Sequence, residues 1–130
     1  MEVMRAGKTH YKKGGSDRFI GDVWLGSGIA TPDRTSASVV RFAPGARTHW
    51  HRHPGGQILY VVSGAGRVRS RGGTGEILRP GDVVYIAADE WHFHGGAPDS
   101  PIVHLAVNPG GGPEWSEPVT DDEYGEGFPS

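Results

Sequence analysis

The chain has 130 residues, enough to bury one core and too few for two, so a single domain spanning 1–130 is expected. Its 22 Gly and 10 Pro interrupt the backbone often, yet 13 basic against 15 acidic residues leave a net charge of only −2, too little to hold a chain open. That balance excludes a basic nucleic-acid surface, the lack of cysteine excludes disulfides and thiolate chemistry, and no apolar run is long enough to span a bilayer.

Residues 1–18 form a polar arm without the apolar centre of a signal peptide, so a cytoplasmic protein is expected. From residue 19 the apolar residues come in short Val- and Ile-rich runs separated by Gly, Pro and Asp, the pattern of strands and turns. Strands are predicted at 19–25, 37–42, 48–53, 58–62, 67–71, 76–78, 83–86, 91–94 and 102–107, closely spaced as in an all-β barrel or sandwich. Arg67, Arg69 and Arg71 recur at period two and are read as a solvated β face. The runs 58–62 and 102–107 are apolar on both faces, which calls for cover on both, and in so small a chain a second copy supplies it: a homodimer is expected. The tail 109–130 opens as a loop, and Thr120-Asp121-Asp122-Glu123 has capping-box spacing, predicting one short helix.

Six of the seven histidines fall in three predicted strands: His49, His51 and His53, then His92 and His94, then His104. Side chains alternate across a strand, so each group projects to one face, and imidazoles converging inside a small barrel can share a divalent metal.

Gly45, five residues, His51, one residue, His53, three residues, Gln57, six residues and Gly64 resemble the first motif of the cupin superfamily, with Gln57 in the place of the usual Glu. Pro80-Gly81-Asp82 followed by His92 resembles the second, with Ala87 where Pro is usual, Asp89 where Gly is usual, and no Asn after His92 at the usual distance. The likeness covers about 37–107. It implies an all-β double-stranded β-helix, the cupin or jelly-roll barrel, with His51, His53, Gln57 and His92 holding one divalent transition metal per chain: manganese first, or iron, nickel, zinc or cobalt. Four neutral ligands would leave the full +2 on the ion, which favours Lewis-acid over redox chemistry.

Around that set, His94 shares the face of His92, as a proton carrier or as an orienting partner. His104 lies among apolar neighbours, where burial keeps an imidazole neutral and able to accept a proton, or where it is a satisfied core histidine. His49 faces the same way as His51 by parity, unless the strand end exposes it. Ser38, Val40 and Asn108 are expected to wall the substrate pocket. The run from Gly45 to Gln57, with Trp91-His92-Phe93-His94-Gly95, His104-Leu105-Ala106 and Val119 to Tyr124, is similar to small bacterial cupins that include manganese-dependent hydroxynitrile lyases. The resemblance implies a small-molecule substrate such as a cyanohydrin, with His104 taking its hydroxyl proton. An oxygen-dependent cupin, such as a dioxygenase, and a non-enzymatic ligand-binding cupin are the alternatives; neither nucleic acid nor membrane is expected as a partner.

Overall fold

Glycine and proline stops cut the apolar sequence into fourteen antiparallel strands within residues 1–129, which the computed structural model describes. After a 3-10 turn at Ala6–Lys8 come β1 (Tyr11–Lys13), β2 (Phe19–Ile20), β3 (Val23–Gly26), β4 (Ile29–Ala30) and the long β5 (Ser36–Phe42). Then follow β6 (Arg47–Thr48), β7 (His51–Arg52), β8 (Gln57–Gly64), β9 (Gly66–Ser70) and β10 (Gly75–Leu78). The last strands are β11 (Val83–Ile86), β12 (His92–Gly96), β13 (Ile102–Asn108) and β14 (Glu114–Trp115), with α1 (Asp121–Gly125) after them.

Two sheets result. The first runs β1-β3-β5-β13-β8-β11 with β4 also on β5; the second runs β10-β9-β12-β6-β2, with β7 pairing both β12 and β14. Their inner faces enclose Val23, Val40, Phe42, Leu59, Val61, Val68, Leu78, Ile86, Ile102 and Ala106, the main core of the expected all-β barrel. Gly64 is forced by this closure: at φ 80° it packs so close to the Pro101 carbonyl that any Cβ would run into it. Among the described residues no helix is long and apolar enough to cross a membrane.

Two predicted strands are broken. Gly21-Asp22 divides 19–25 between the sheets, and His49-Trp50 interrupts 48–53. At the second break Trp50 is drawn toward the C-terminal segment, its N–H donating to the Glu117 carbonyl (3.1 Å) and its carbonyl accepting from Ser116 (2.8 Å). The terminal helix forms as expected: Thr120 Oγ1 accepts from the Glu123 N–H (3.1 Å), and Glu123 Oε1 accepts from the Thr120 N–H (3.0 Å).

This helix seals the outside of the second sheet. Trp50, Phe93, Val119 and Tyr124 form a second buried cluster, flanked by Trp91 and Phe128. The reading of Arg67, Arg69 and Arg71 as a solvated face is therefore corrected for Arg67 and Arg69, while Arg71 stays exposed. Arg67 donates to the Tyr124 carbonyl (2.9 Å), Arg69 to the Glu126 carbonyl (2.7 Å), and Arg71 pairs with Glu117. Their guanidiniums lie over Tyr124, Phe128, Trp50 and Phe93, and only 7% of Arg69 is exposed. Among the described residues, β8 and β11 of the first sheet have no such cover. Ile58, Tyr60 and Val62 of β8, with Val83 and Tyr85 of β11, are 41–71% exposed on its outer face, opposite the buried Leu59 and Val61.

Candidate metal centre and cavity

Histidines distant in sequence meet through strand pairing. His92 of β12 stands in register with His51 of β7, their rings 4.2 Å apart, and His53 enters 5.1 Å from His51 just beyond the strand end. One ring nitrogen from each of the three lies within 4.8 Å of the others, and all three residues are buried.

The backbone fixes which nitrogens are available. His51 Nδ1 lies 2.9 Å from the His49 carbonyl and His92 Nδ1 lies 2.9 Å from the Glu90 carbonyl. A carbonyl only accepts, so both Nδ1 atoms carry the proton and a neutral ring leaves Nε2 bare. Burial, foremost, pushes His51 well below the usual histidine range, His53 down to about 4, and His92 downward, so all three are neutral at pH 7. Among the described residues neither nitrogen of His53 has a hydrogen-bond partner. Gln57 Oε1 sits 3.0 Å from His92 Nε2, an acceptor facing a bare lone pair. These features suit a cation among the three rings and the amide oxygen: the contact at Gln57 ceases to repel, and His53 gains a partner. Nitrogen and neutral oxygen donors match divalent transition metals.

Two departures from the motif are explained locally. Asp89 takes φ 60°, the left-handed region where Gly is usual, and donates its N–H to the His53 carbonyl (2.8 Å). Ala87 keeps the N–H that Pro would lack, and that group donates to Glu90 Oε1 (3.0 Å).

The cluster opens into a cavity of about 170 Å³. His51, His53, Gln57, His94, Thr48, Ser38 and Asn108 give it polar atoms; Phe19, Leu25, Val40, Phe42, Ala106 and Trp115 give it apolar walls, with the exposed Arg18 at the edge. Trp115 stacks on His51, ring centroids 4.6 Å apart. The predicted wall residues Ser38, Val40 and Asn108 thus line the cavity, as does His94. His104 does not: it is fully buried, with its Nε2 3.3 Å from His94 Nδ1, and Phe42 packs against both rings. Burial lowers His94 well below the usual range and His104 to about 4. His49 is also absent from the lining. Thr48 and His51 both reach the cavity, which strict alternation across three positions forbids, and the break at His49-Trp50 takes up the odd step.

Sequence reading missed Arg18, Phe19, Thr48 and Trp115. Phe42 was within reach, since it shares the period-two face of Ser38 and Val40. Trp115 carried no such signal, because pairing of β14 with β7 across 62 residues brings it in.

A family model described as a cupin domain matches residues 38–111. An (R)-mandelonitrile lyase of Granulicella tundricola is 41% identical over 129 residues, 95% of this chain and 98% of that one. The crystal structure of a cupin-like protein from Thermotoga maritima is similar at 44% identity and a TM-score of 0.84, covering 89% of this chain and 92% of that one. The polyketide cyclase RemF of Streptomyces resistomycificus shares the fold alone, at 18% identity and a TM-score of 0.67 over 95% of this chain and 90% of that one.

Proposed function

The chain belongs to the cupin family, and on that premise we propose that it is a metal-dependent lyase acting on a small hydroxy or carbonyl compound, with a cyanohydrin as the leading candidate. The observation that carries this reading is the convergence of three buried, neutral imidazoles, of which His51 and His53 line a small cavity that a fourth imidazole beside them, His94, lines as well. The 41% identity to a mandelonitrile lyase supports it. His51, His53, Gln57 and His92 would hold the ion, manganese first and otherwise iron, nickel, zinc or cobalt. Bound there, it supplies Lewis acidity toward oxygen and cyanide anions.

The proton chemistry falls to His94. In the tautomer that has His94 Nδ1–H donating to His104 Nε2 (3.3 Å), His94 Nε2 is bare, and that atom has no other partner among the described residues. In cleavage, His94 Nε2 takes the hydroxyl proton. The O–H electron pair becomes the second bond of the carbonyl, the carbon–carbon bond breaks, and its pair leaves with cyanide. His94 then returns the proton to cyanide, giving an aldehyde and HCN. His104, held neutral by burial, accepts the hydrogen bond of the transient imidazolium and stabilises it. The aromatic and aliphatic walls favour an apolar substituent on the carbinol carbon.

Aldehyde release from mandelonitrile, followed with and without chelator and in argon and air, tests the reading. Metal-dependent, oxygen-independent cleavage that His51→Ala removes together with the metal, and that His94→Phe cuts by about 100-fold with the metal retained, is expected. A requirement for oxygen would make this an oxidative cupin, and ligand affinity without turnover would make it a binding module. A cytoplasmic homodimer completes the proposal, the second copy covering the bare outer face of β8 and β11.

A further inference from the structure

We propose that Asn108 is the positioning residue that aims the Gln57 carbonyl, rather than its NH2, at the metal. The inference rests on the reading of Gln57 as a ligand and explains how an amide serves reliably in a place where a carboxylate would need no aiming.

A glutamine presents a donor at one corner and an acceptor at the other, and the two orientations have nearly the same shape. Only the acceptor can ligate a cation; the reversed amide would turn two N–H groups toward it. The energy that separates the two orientations must come from the neighbours. On one side stands His92. Its Nδ1 faces the Glu90 carbonyl, a main-chain acceptor whose polarity is not adjustable, so its Nε2 is bare and 3.0 Å from Gln57 Oε1. Without a cation that contact favours the wrong orientation, with the NH2 toward His92.

The opposing preference comes from β13. Val107 pairs with Ile58, which makes Asn108 and Gln57 cross-strand neighbours, and Gln57 Nε2 donates to Asn108 Oδ1 at 2.9 Å. Asn108 is held in turn: it stands opposite Ser36 of β5, and its Nδ2 donates to Ser36 Oγ at 3.5 Å. Gln57 is 4% exposed, so a reversed amide would face Asn108 Oδ1 with its own oxygen and find no water to relieve the clash. With Asn108 in this orientation, its Oδ1 holds the Gln57 carbonyl toward the imidazoles before any ion arrives; the Ser36 hydroxyl, which donates as readily as it accepts, adds a contact without itself fixing which way the Asn108 amide points. Because Asn108 also lines the cavity, its amide joins the ligand set to the space a substrate would fill.

The test is a double-mutant cycle on Mn(II) binding to the chelator-stripped protein, read by calorimetry. Asn108→Leu, similar in shape but without an acceptor, is expected to weaken Mn(II) binding by about tenfold or more, and Asn108→Asp, which keeps the acceptor, to bind at least as tightly as the unsubstituted chain. In the Gln57→Glu background the carboxylate oxygens are equivalent, so Asn108→Leu is expected to cost less than about threefold. An equal loss in both backgrounds, or no loss in the unsubstituted background, would overturn the inference while leaving the metal site standing. Failure of the unsubstituted chain to bind Mn(II), iron, nickel, zinc or cobalt would overturn the metal site and this inference with it. Thermal melts of the metal-free variants separate a lost fold from a lost orientation.

Discussion

The outer face of β8 and β11 and the outer face of β9 and β12 both begin as alternating strands over one shared core, and they are completed in opposite ways. On β9 and β12 the outward residues are Arg67, Arg69 and Phe93, long or aromatic side chains that reach the C-terminal segment by hydrogen bonds to its carbonyls and by packing under Tyr124 and Phe128. On β8 and β11 the outward residues are Ile58, Tyr60, Val62, Val83 and Tyr85, large and apolar but left in water by the single chain. A face that offers donors and stacking surfaces is closed here by the chain's own tail, whereas the exposed face of aliphatic and tyrosine side chains is the one that the proposed second copy would cover.

The contrast is broken most strongly at Phe93. Replacing it by Ala empties the cluster beneath α1, and a loss of about 3–5 kcal/mol is expected in urea unfolding; a loss under about 1 kcal/mol would mean that the tail lies on the sheet without sealing it.

Acid strikes the core between the two faces. His104, lowered from 6.5 to about 4 chiefly by burial, stays neutral in the fold while the unfolded chain takes up its proton first. Stability of the metal-free protein is therefore full above the unfolded value and falls as pH drops from about 6.5 toward 4, with about 2 kcal/mol lost through His104 alone by pH 5. Urea midpoints at pH 7 and pH 5 check it, and equal midpoints would sink it.

The smallest effect on stability is expected at the bare face. Tyr60→Lys with Tyr85→Lys should change the unfolding free energy of the chain by no more than about 0.5 kcal/mol per site. The same pair should move the mass in analytical ultracentrifugation from two chains to one. A monomer before substitution would instead show that this face remains uncovered.

The strands and their turns were legible because Gly and Pro mark their ends, and the helix because Thr120 and Glu123 stand three apart. The two broken strands were read through: Gly21-Asp22 carries the same Gly and Asp that mark stops elsewhere, with Gly21 at φ 81°, whereas His49-Trp50 is punctuated only by contacts made elsewhere, with Ser116 and Glu117 around Trp50. The same limit governed the site. Parity brought His51, His53, His92 and His94 together as candidates, since each pair shares a strand face. It misplaced His49, beyond which the alternation slips, and it could not tell that His104 stands behind His94. The arginines misled for a related reason: period two reports that Arg67, Arg69 and Arg71 share a face, and only the path of residues 116–129 decides whether that face meets water.

The stacking of Trp115 on His51 gives the cavity its own optical reporter. An indole 4.6 Å from an imidazole that would ligate the ion lies close enough for a paramagnetic centre to quench its emission, whereas closed-shell zinc would leave that emission bright. The brightness of the light this protein returns would then tell zinc from an open-shell ion held by the histidines.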